Sequence, residues 1–546
     1  MIVDLREVRD APFEDYDVVI VGTGPAGVTL ARELIGSGLK VCALESGRLR
    51  HSQHADELRR TLSDGIHLKL PSRERILGGA STTWAGLSSP LDEIDLAPRT
   101  FLAQSGWLIE RAELMELYAE AASRYRFPSL DLFESGGFDA HRSAGELQPS
   151  WEGLDEKTFL AAAEPQNFGK EWGDIFQGDG PDLFLDATVT RLHSEGGRVI
   201  AAQVKTSGGQ EHRVHARAFV IATGGIENAR LLLASELGNE HDQVGRHLMN
   251  HPKNYDGMIE LKEPVSDAPY FFGCIAGESA GYAGLRLPEG AQRERGLLNS
   301  YVRFEPIFPW SRNDGVECFV LLVKRFAGLL AFWRSRQGDE LISLRDYSET
   351  GDDSELSSER RDALGYLGLA LRCLFHLPSI LSYLYFRLTK AKPKIRFIRL
   401  RNFMEMEPRP ENRVTLSEER DSNGEAVPRV SHQTTALDRR SLTALHEVLA
   451  AEIERQGLGK LHTELADADP WPIDQDASHH MGTTRMGADP ETSVVDADLC
   501  VHTQSNLYCA GSSVFPSSGC ANPTFTIVAL SIRLARHLSS ALKASA

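Results

Sequence analysis

The stretch Tyr16–Gly47, YDVVIVGTGPAGVTLARELIGSGLKVCALESG, decides the fold. Asp17 to Val21 is a short β-branched run that reads as a buried strand. It feeds directly into Gly22-x-Gly24-x-x-Gly27 and then into a helix of small and apolar residues from Ala26 to Leu34. A second strand, Lys40 to Leu44, ends in Glu45. Each part has a physical role. Gly22 makes the tight turn, Gly24 lets the backbone approach a pyrophosphate, and Gly27 lets helix pack closely on strand. The helix N-terminus offers free N–H groups and a positive dipole end to that pyrophosphate. Glu45 can accept from both ribose hydroxyls, and a carboxylate there disfavours a 2′-phosphate. Strand, glycine turn, helix, strand and terminal acid in that order predict a dinucleotide-binding Rossmann-type unit, with FAD and NAD both open.

Outward from this unit, 546 residues are too many for one small core, so two domains are expected. A net charge of −18 argues against general nucleic-acid binding, which needs clustered Lys and Arg on phosphate. The N-terminal MIVDLREVRDAPFEDYD lacks a basic n-region and an apolar h-region, so no secretory signal is read there. Seven scattered cysteines, none in a CxxC pair, suit reduced thiols and predict a cytoplasmic protein without structural zinc or iron–sulfur cluster.

Three further segments repeat the strand–turn–helix theme or flank it: ILGGASTTWAG (Ile76 to Gly86), AFVIATGGIENARLLLAS (Ala218 to Ser235) and NLYCAGSSVFPSSGCANPTFTIVALSIRLARHL (Asn506 to Leu538). A nicotinamide dehydrogenase needs none of them, whereas an extended FAD is gripped again near its flavin end. With GTGPAG, GGASTTW, SGW (Ser105 to Trp107), GGIENARLLL, NRVTL (Asn412 to Leu416), HHMGTTRMG (His479 to Gly487) and ANPT (Ala521 to Thr524) in this order, the chain resembles the glucose–methanol–choline (GMC) oxidoreductases, nearest their pyranose oxidase and sugar-oxidising branch.

The resemblance implies an α/β fold: a Rossmann-like FAD domain, discontinuous in sequence, under a substrate domain built on a largely antiparallel sheet. The expected FAD domain is 1–110, 180–250 and 470–546, and the expected substrate domain is 111–179 and 251–469. The resemblance assigns cofactor contacts to Gly22, Gly24, Gly27, Glu45, Gly79, Ser81, Thr83, Val189, Gly224, Gly511, Ser512, Pro523 and Thr524. Pyranose oxidases carry a flavin-linking histidine where this chain has Thr83, so non-covalent FAD is expected. The next departure, Ala85 in place of a threonine, leaves the electron acceptor open between O2 and another oxidant.

Alcohol oxidation needs a base for the hydroxyl proton and a donor for the substrate oxygen, and histidine suits the base because its pKa lies near operating pH. The family's H-x-x-G-T segment, matched at Gly482-Thr483, puts His479 at the base position and Asn522 at the second. His480, adjacent in an extended segment, is expected to point to the other face, as a neighbour or as the alternative base. Thr483 and Arg485 are expected to shape the flavin edge, with a structural ion pair as the alternative for Arg485. No third ligand stands at metal spacing.

Between Val189 and Val220, alternation with Gly-rich turns predicts a small hairpin sheet. His251, before Pro252, and His432 read as structural. The segment 318–401 holds apolar stretches at Phe319 to Trp333 and Ala363 to Leu388, and Arg372, His376 and Pro378 interrupt the second. Seven basic residues follow (Arg387, Lys390, Lys392, Lys394, Arg396, Arg399 and Arg401). This insertion suggests a substrate lid or a subunit contact in a homo-oligomer, with a peripheral membrane-surface dock as the alternative. The function expected is oxidation of a secondary alcohol of a sugar or glycoside to a ketone. The alternatives are an oxidoreductase of another alcohol (polyol, secondary metabolite or amphiphile), a non-redox FAD-containing lyase, and a membrane-associated interaction subunit.

Overall fold

The computed structural model describes the chain apart from residues 9–12, 104, 135–145, 148, 163, 273, 277–278, 309, 312, 327–362, 390, 474–475 and 545–546. The Tyr16–Gly47 stretch forms strand β2 (Tyr16–Val21), helix α1 (Pro25–Glu33) and strand β3 (Val41–Glu45). Three further strands and an N-terminal one, β1 (Ile2–Asp4), β4 (Asp182–Leu185), β5 (Ala216–Ile221) and β6 (Leu507–Cys509), join them in the order β1-β4-β3-β2-β5-β6. Every pairing in this sheet is parallel. Both faces of such a sheet are covered, which is why these strands are continuous apolar runs rather than alternating ones.

Register places the turns that matter on one edge. Val21 lies opposite Ile221, and Ile221 opposite Cys509. The segments after them therefore emerge side by side and lead toward α2 (Gly225–Ser235) and α3 (Thr524–Ala544). Open parallel sheets bind ligands at this carboxyl edge. The predicted hairpin sheet is present as three antiparallel strands, Thr188–Glu195, Arg198–Lys205 and Glu211–Val214, which hand the chain to β5.

A second sheet is antiparallel, with Ser279–Arg286, Tyr301–Pro306, Ile395–Phe403 and Met258–Val265 at its centre. Helix Ala436–Arg455, capped by Thr435 and Asp438, packs Leu442, Leu445, Leu449 and Ile453 onto Ile259, Leu261, Ile398 and Leu400. The fold is thus mixed α/β with parallel and antiparallel sheets, as expected from the sequence. One boundary differs: the reading that put 111–179 with the antiparallel sheet meets helix Arg111–Tyr125, whose Leu114, Leu117, Tyr118, Ala121 and Tyr125 lie in the parallel-sheet core. Its apolar face spans i, i+3, i+4 and i+7, and Tyr118 packs on Phe525 of α3 with ring centroids 4.6 Å apart.

In the insertion, Asp314–Phe326 is helical, and the rest of the first apolar stretch lies outside the described residues. The second stretch breaks at His376 into helices Ala363–Phe375 and Leu377–Thr389, and the pair is bent by 81°. Pro378 explains part of the break, since it sits in the first turn of the second helix and cannot continue the first. Among the described residues no single helix is long and apolar enough to cross a membrane. The basic cluster is largely matched within the protein. Lys392 pairs with Asp267, Arg396 with Glu260, and Arg399 and Arg401 with Glu305, while Lys390 lies outside the described residues.

Candidate active site

The dinucleotide loop is packed as its glycines require. A Cβ on Gly27 would stand 1.9 Å from the Gly22 carbonyl oxygen, so helix α1 can only approach β2 this closely with glycine there. Gly22 itself has φ +96° and backs onto Ala222. Around Gly24, by contrast, a Cβ would meet nothing within 4 Å, and the same holds at Gly224 and Gly511. These open glycines lie in the segments that follow three neighbouring strands, beside helix N-termini, which is what an extended diphosphate-bearing cofactor needs. The GGAST turn completes the cradle: Gly78 N–H donates to the Thr23 carbonyl at 2.9 Å, and Gly79 packs on Gly24. Ser81 Oγ donates to Gly78 and accepts from Phe168 N–H, which fixes the turn rather than reaching outward.

A cavity beside this loop is lined by Val21, Gly22, Leu44, Ser46, Arg75, Val189 and Thr223. Glu45, between the lining residues Leu44 and Ser46 in sequence, is buried and accepts from Thr23 N–H, Thr23 Oγ1 and Gly47 N–H at 3.0, 2.6 and 2.8 Å. Burial pushes its carboxyl above the usual range and these bonds pull it back. Such a carboxylate has about four lone-pair sites, so acceptor capacity remains for a ribose hydroxyl. The residues present fit FAD: the cavity would take the nucleotide end, and the open glycine turns would take the diphosphate.

Two features of this region escaped the sequence reading. Arg75 reaches Ser46 Oγ and Glu227, and Glu227 is shared with Arg73 and Arg230. Burial pushes Glu227 up, but Arg75, Arg230 and Arg73 together outweigh it and hold it far below the carboxylate range. Asn228 ties the turns to each other by accepting from Thr223 N–H and donating to Ala510 O and Ser513 Oγ. The signal was the GGIENAR motif itself, whose Glu, Asn and Arg are these residues.

The HHMGTTR segment runs past β6's turn: Gly482 N–H donates to Ser512 O, Thr484 N–H to Ser513 O, and Ser512 Oγ to His480 O. Thr483 Oγ1 donates to Gly225 O, locking the segment to the start of α2. Arg485 donates to the Thr492 carbonyl, which ties this segment to the loop that follows it. His480 is buried against α2, and burial drives its pKa down to about 3, with Arg73 and His432 adding to it. His479, on the opposite face, is half-buried, and its Nδ1 lies 2.9 Å from Nδ1 of His251. Burial foremost, then His251, Lys253 and His480, hold the His479 pKa well below 6.5, so the ring is neutral at pH 7.

His251, read from sequence as structural, stands against the His479 ring. Its other nitrogen, Nε2, lies 2.9 Å from the Gly519 carbonyl. It therefore joins the His479 ring to the turn that continues through Cys520 and Ala521 to Asn522 and Pro523. Asn522 is half-buried immediately before α3, which begins at Thr524 and runs 21 residues. His432 keeps its structural reading, with Nε2 at 3.1 Å from Met406 Sδ. Thr83 Oγ1 donates to Pro71 O at 2.7 Å and lies 3.2 Å from Ala80 O, so its hydroxyl is engaged by the backbone.

Comparison with known proteins identifies the family. A family profile described as FAD dependent oxidoreductase matches residues 17–260, and one described as GMC oxidoreductase matches 408–531. The chain is 35% identical to a C-glycoside 3-oxidase from Microbacterium trichothecenolyticum, with 97% of each chain covered. It is 24% identical to a paromamine 6'-oxidase from Streptomyces fradiae, covering 96% of this chain and 92% of that one. A 6'''-hydroxyparomomycin C oxidase from Streptomyces lividus is 25% identical over 97% of this chain and 92% of its own. Parallel FAD sheet, ordered motifs and end-to-end similarity together make this chain a member of the GMC oxidoreductase family, an FAD-dependent enzyme acting on alcohols.

Proposed function

We propose that the chain oxidises a ring secondary hydroxyl of a sugar or glycoside to a ketone. The observation that carries this reading is the His479 ring, held at Nδ1 by His251 and tied through it to the segment that carries Asn522. With Nδ1 engaged, Nε2 of His479 is the nitrogen left to take the hydroxyl proton. Asn522 donates to the substrate oxygen and fixes which carbon faces the cofactor. When bound, FAD supplies the two-electron acceptor for the hydride that leaves that carbon. Similarity to the C-glycoside 3-oxidase, at 35% identity against 24% for the paromamine 6'-oxidase, favours a ring position over an exocyclic one. The test is turnover of O- and C-glycosides, free sugars and simple alcohols, with O2 and with a quinone as acceptor, followed by NMR of the product. A ring ketone from a glycoside is expected; products confined to aldehydes, or turnover confined to simple alcohols, contradict the reading.

The cofactor is proposed to be dissociable. Thr83 stands where a linking histidine would be needed, and its hydroxyl already donates to Pro71 O. A threonine hydroxyl is also far too weak an acid to form such a link at neutral pH. Acid precipitation of the purified protein therefore releases all its flavin to the supernatant, read by absorbance. Yellow protein pellets would show a covalent bond at some other residue.

A further inference from the structure

We propose that His251 is a positioning residue that locks His479 in the tautomer whose Nε2 carries the free lone pair. This deepens, and rests on, the assignment of His479 as base. Two chain segments 228 positions apart are brought together first by backbone. Met249 and Met481 form an isolated antiparallel bridge with two N–H···O bonds of 3.0 Å. Asn250 Oδ1 then accepts from Ser478 N–H and His479 N–H at 3.3 and 3.1 Å, which fixes the start of the HHMG segment. The next residue is His251, whose ring stands at 88° to that of His479.

The proton positions follow from counting donors. A carbonyl oxygen only accepts, so the 2.9 Å contact with Gly519 O puts a proton on His251 Nε2. A neutral imidazole has one N–H, so His251 Nδ1 is an acceptor. The 2.9 Å Nδ1···Nδ1 contact then requires the proton on His479 Nδ1, and Nε2 of His479 is left bare. The opposite assignment sets two lone pairs against each other at Gly519 O. A doubly protonated His251 would reverse the bond and spoil the base, and burial opposes it by bringing the His251 pKa down to about 4. The charged and titratable neighbours are Lys253, His480 and Glu405. A partner that sets which ring nitrogen is free is a recurring way to prepare an imidazole.

The test compares wild type with His251→Leu and His251→Asn. Leucine removes the acceptor. Asparagine can turn its NH2 toward the Ser518–Gly519 carbonyls and its oxygen toward His479 Nδ1–H. The leucine variant should reduce its flavin anaerobically about 100-fold more slowly, and the asparagine variant should recover to within about tenfold of wild type. Independently of turnover, ring 15N spectra of histidine-labelled wild type, assigned by loss of the His479 signal in His479→Asn, should show a protonated Nδ1 and a bare Nε2. A bare Nδ1 in the wild-type spectrum overturns the proposal, as does a leucine variant as fast as wild type. If the leucine variant loses FAD, the wild-type spectrum and the asparagine variant decide. Should no sugar reduce a wild-type flavin while the spectrum shows the stated tautomer, the functional reading falls and the proton assignment stands.

Discussion

Exchange of His479 for asparagine lowers the rate constant for anaerobic flavin reduction by about 1,000-fold, while FAD content stays at wild-type level. Asparagine keeps a side chain of similar reach but has no basic lone pair, so the hydroxyl proton has no acceptor within the site. The FAD content is unaffected because His479 is not among the residues assigned to the cofactor. The pH profile carries the same information. A base whose pKa is lowered is unprotonated above that value and is lost as pH falls through it. The His479 pKa lies well below 6.5, held there by burial with His251, Lys253 and His480. The wild-type reduction rate is therefore flat upward from about pH 6.5 and falls only in acid. Stopped-flow reduction across pH 5 to 9 measures both effects. A variant within tenfold of wild type, or a limb centred near neutral pH, removes His479 from the role of base.

Replacing Arg99 by leucine destabilises the fold by about 3–5 kcal/mol. Arg99 and Glu405 form a two-pronged ion pair of 2.7 and 2.6 Å in which both side chains are 0% exposed. Glu405 sits between Met404, in the antiparallel-sheet core, and Met406, in the parallel-sheet core, so the pair stands where the two cores meet. Removing arginine leaves a buried carboxylate that, among the described residues, keeps the Asn299 N–H donor at 2.7 Å. The local charge is already crowded: burial, then Asp92 and Glu405, push the neighbouring Asp95 carboxyl up to about 7. Removing both partners in Arg99→Leu/Glu405→Leu recovers most of the loss, because an apolar pair needs no compensation. Denaturant unfolding of the single and double variants measures this. A single variant within about 1 kcal/mol of wild type contradicts this expectation, since breaking a buried pair by removing one partner is costly. The effect extends to the site: Asp95 abuts Gly519, where an added Cβ would lie 2.5 Å from its carboxylate.

The parallel sheet was legible because its information is local. GTGPAG, GGIENAR and the GSS turn each sit between a continuous apolar strand and a helix, so spacing alone aligns them. His479 and Asn522 were proposed from motif resemblance, and the structure adds the contact of His479 with His251. His251 was not legible, because nothing local distinguishes Asn-His-Pro from an ordinary turn. Its role appears only when the Met249–Met481 bridge brings it beside a residue 228 positions away. Arg99 and Glu405 are 306 positions apart and were silent for the same reason. Helix Arg111–Tyr125 has an apolar stripe that fits either core, and sequence does not say which. The basic run after Arg387 raised a membrane-surface dock as the alternative reading, and four of its charges meet Asp267, Glu260 and Glu305 from neighbouring segments. Charge on one strand is readable from sequence, but its neutralisation by another strand is not.

The most direct test of the proposed reaction is anaerobic mixing of the FAD-loaded protein with C-glycosides and O-glycosides, following the flavin's visible band. Rapid bleaching by at least one glycoside is the expected result, with a matching ring ketone formed in one-to-one amount with reduced flavin. A correctly loaded flavin that stays oxidised with every glycoside and sugar, yet bleaches with a simple alcohol, would contradict glycoside oxidation by this chain.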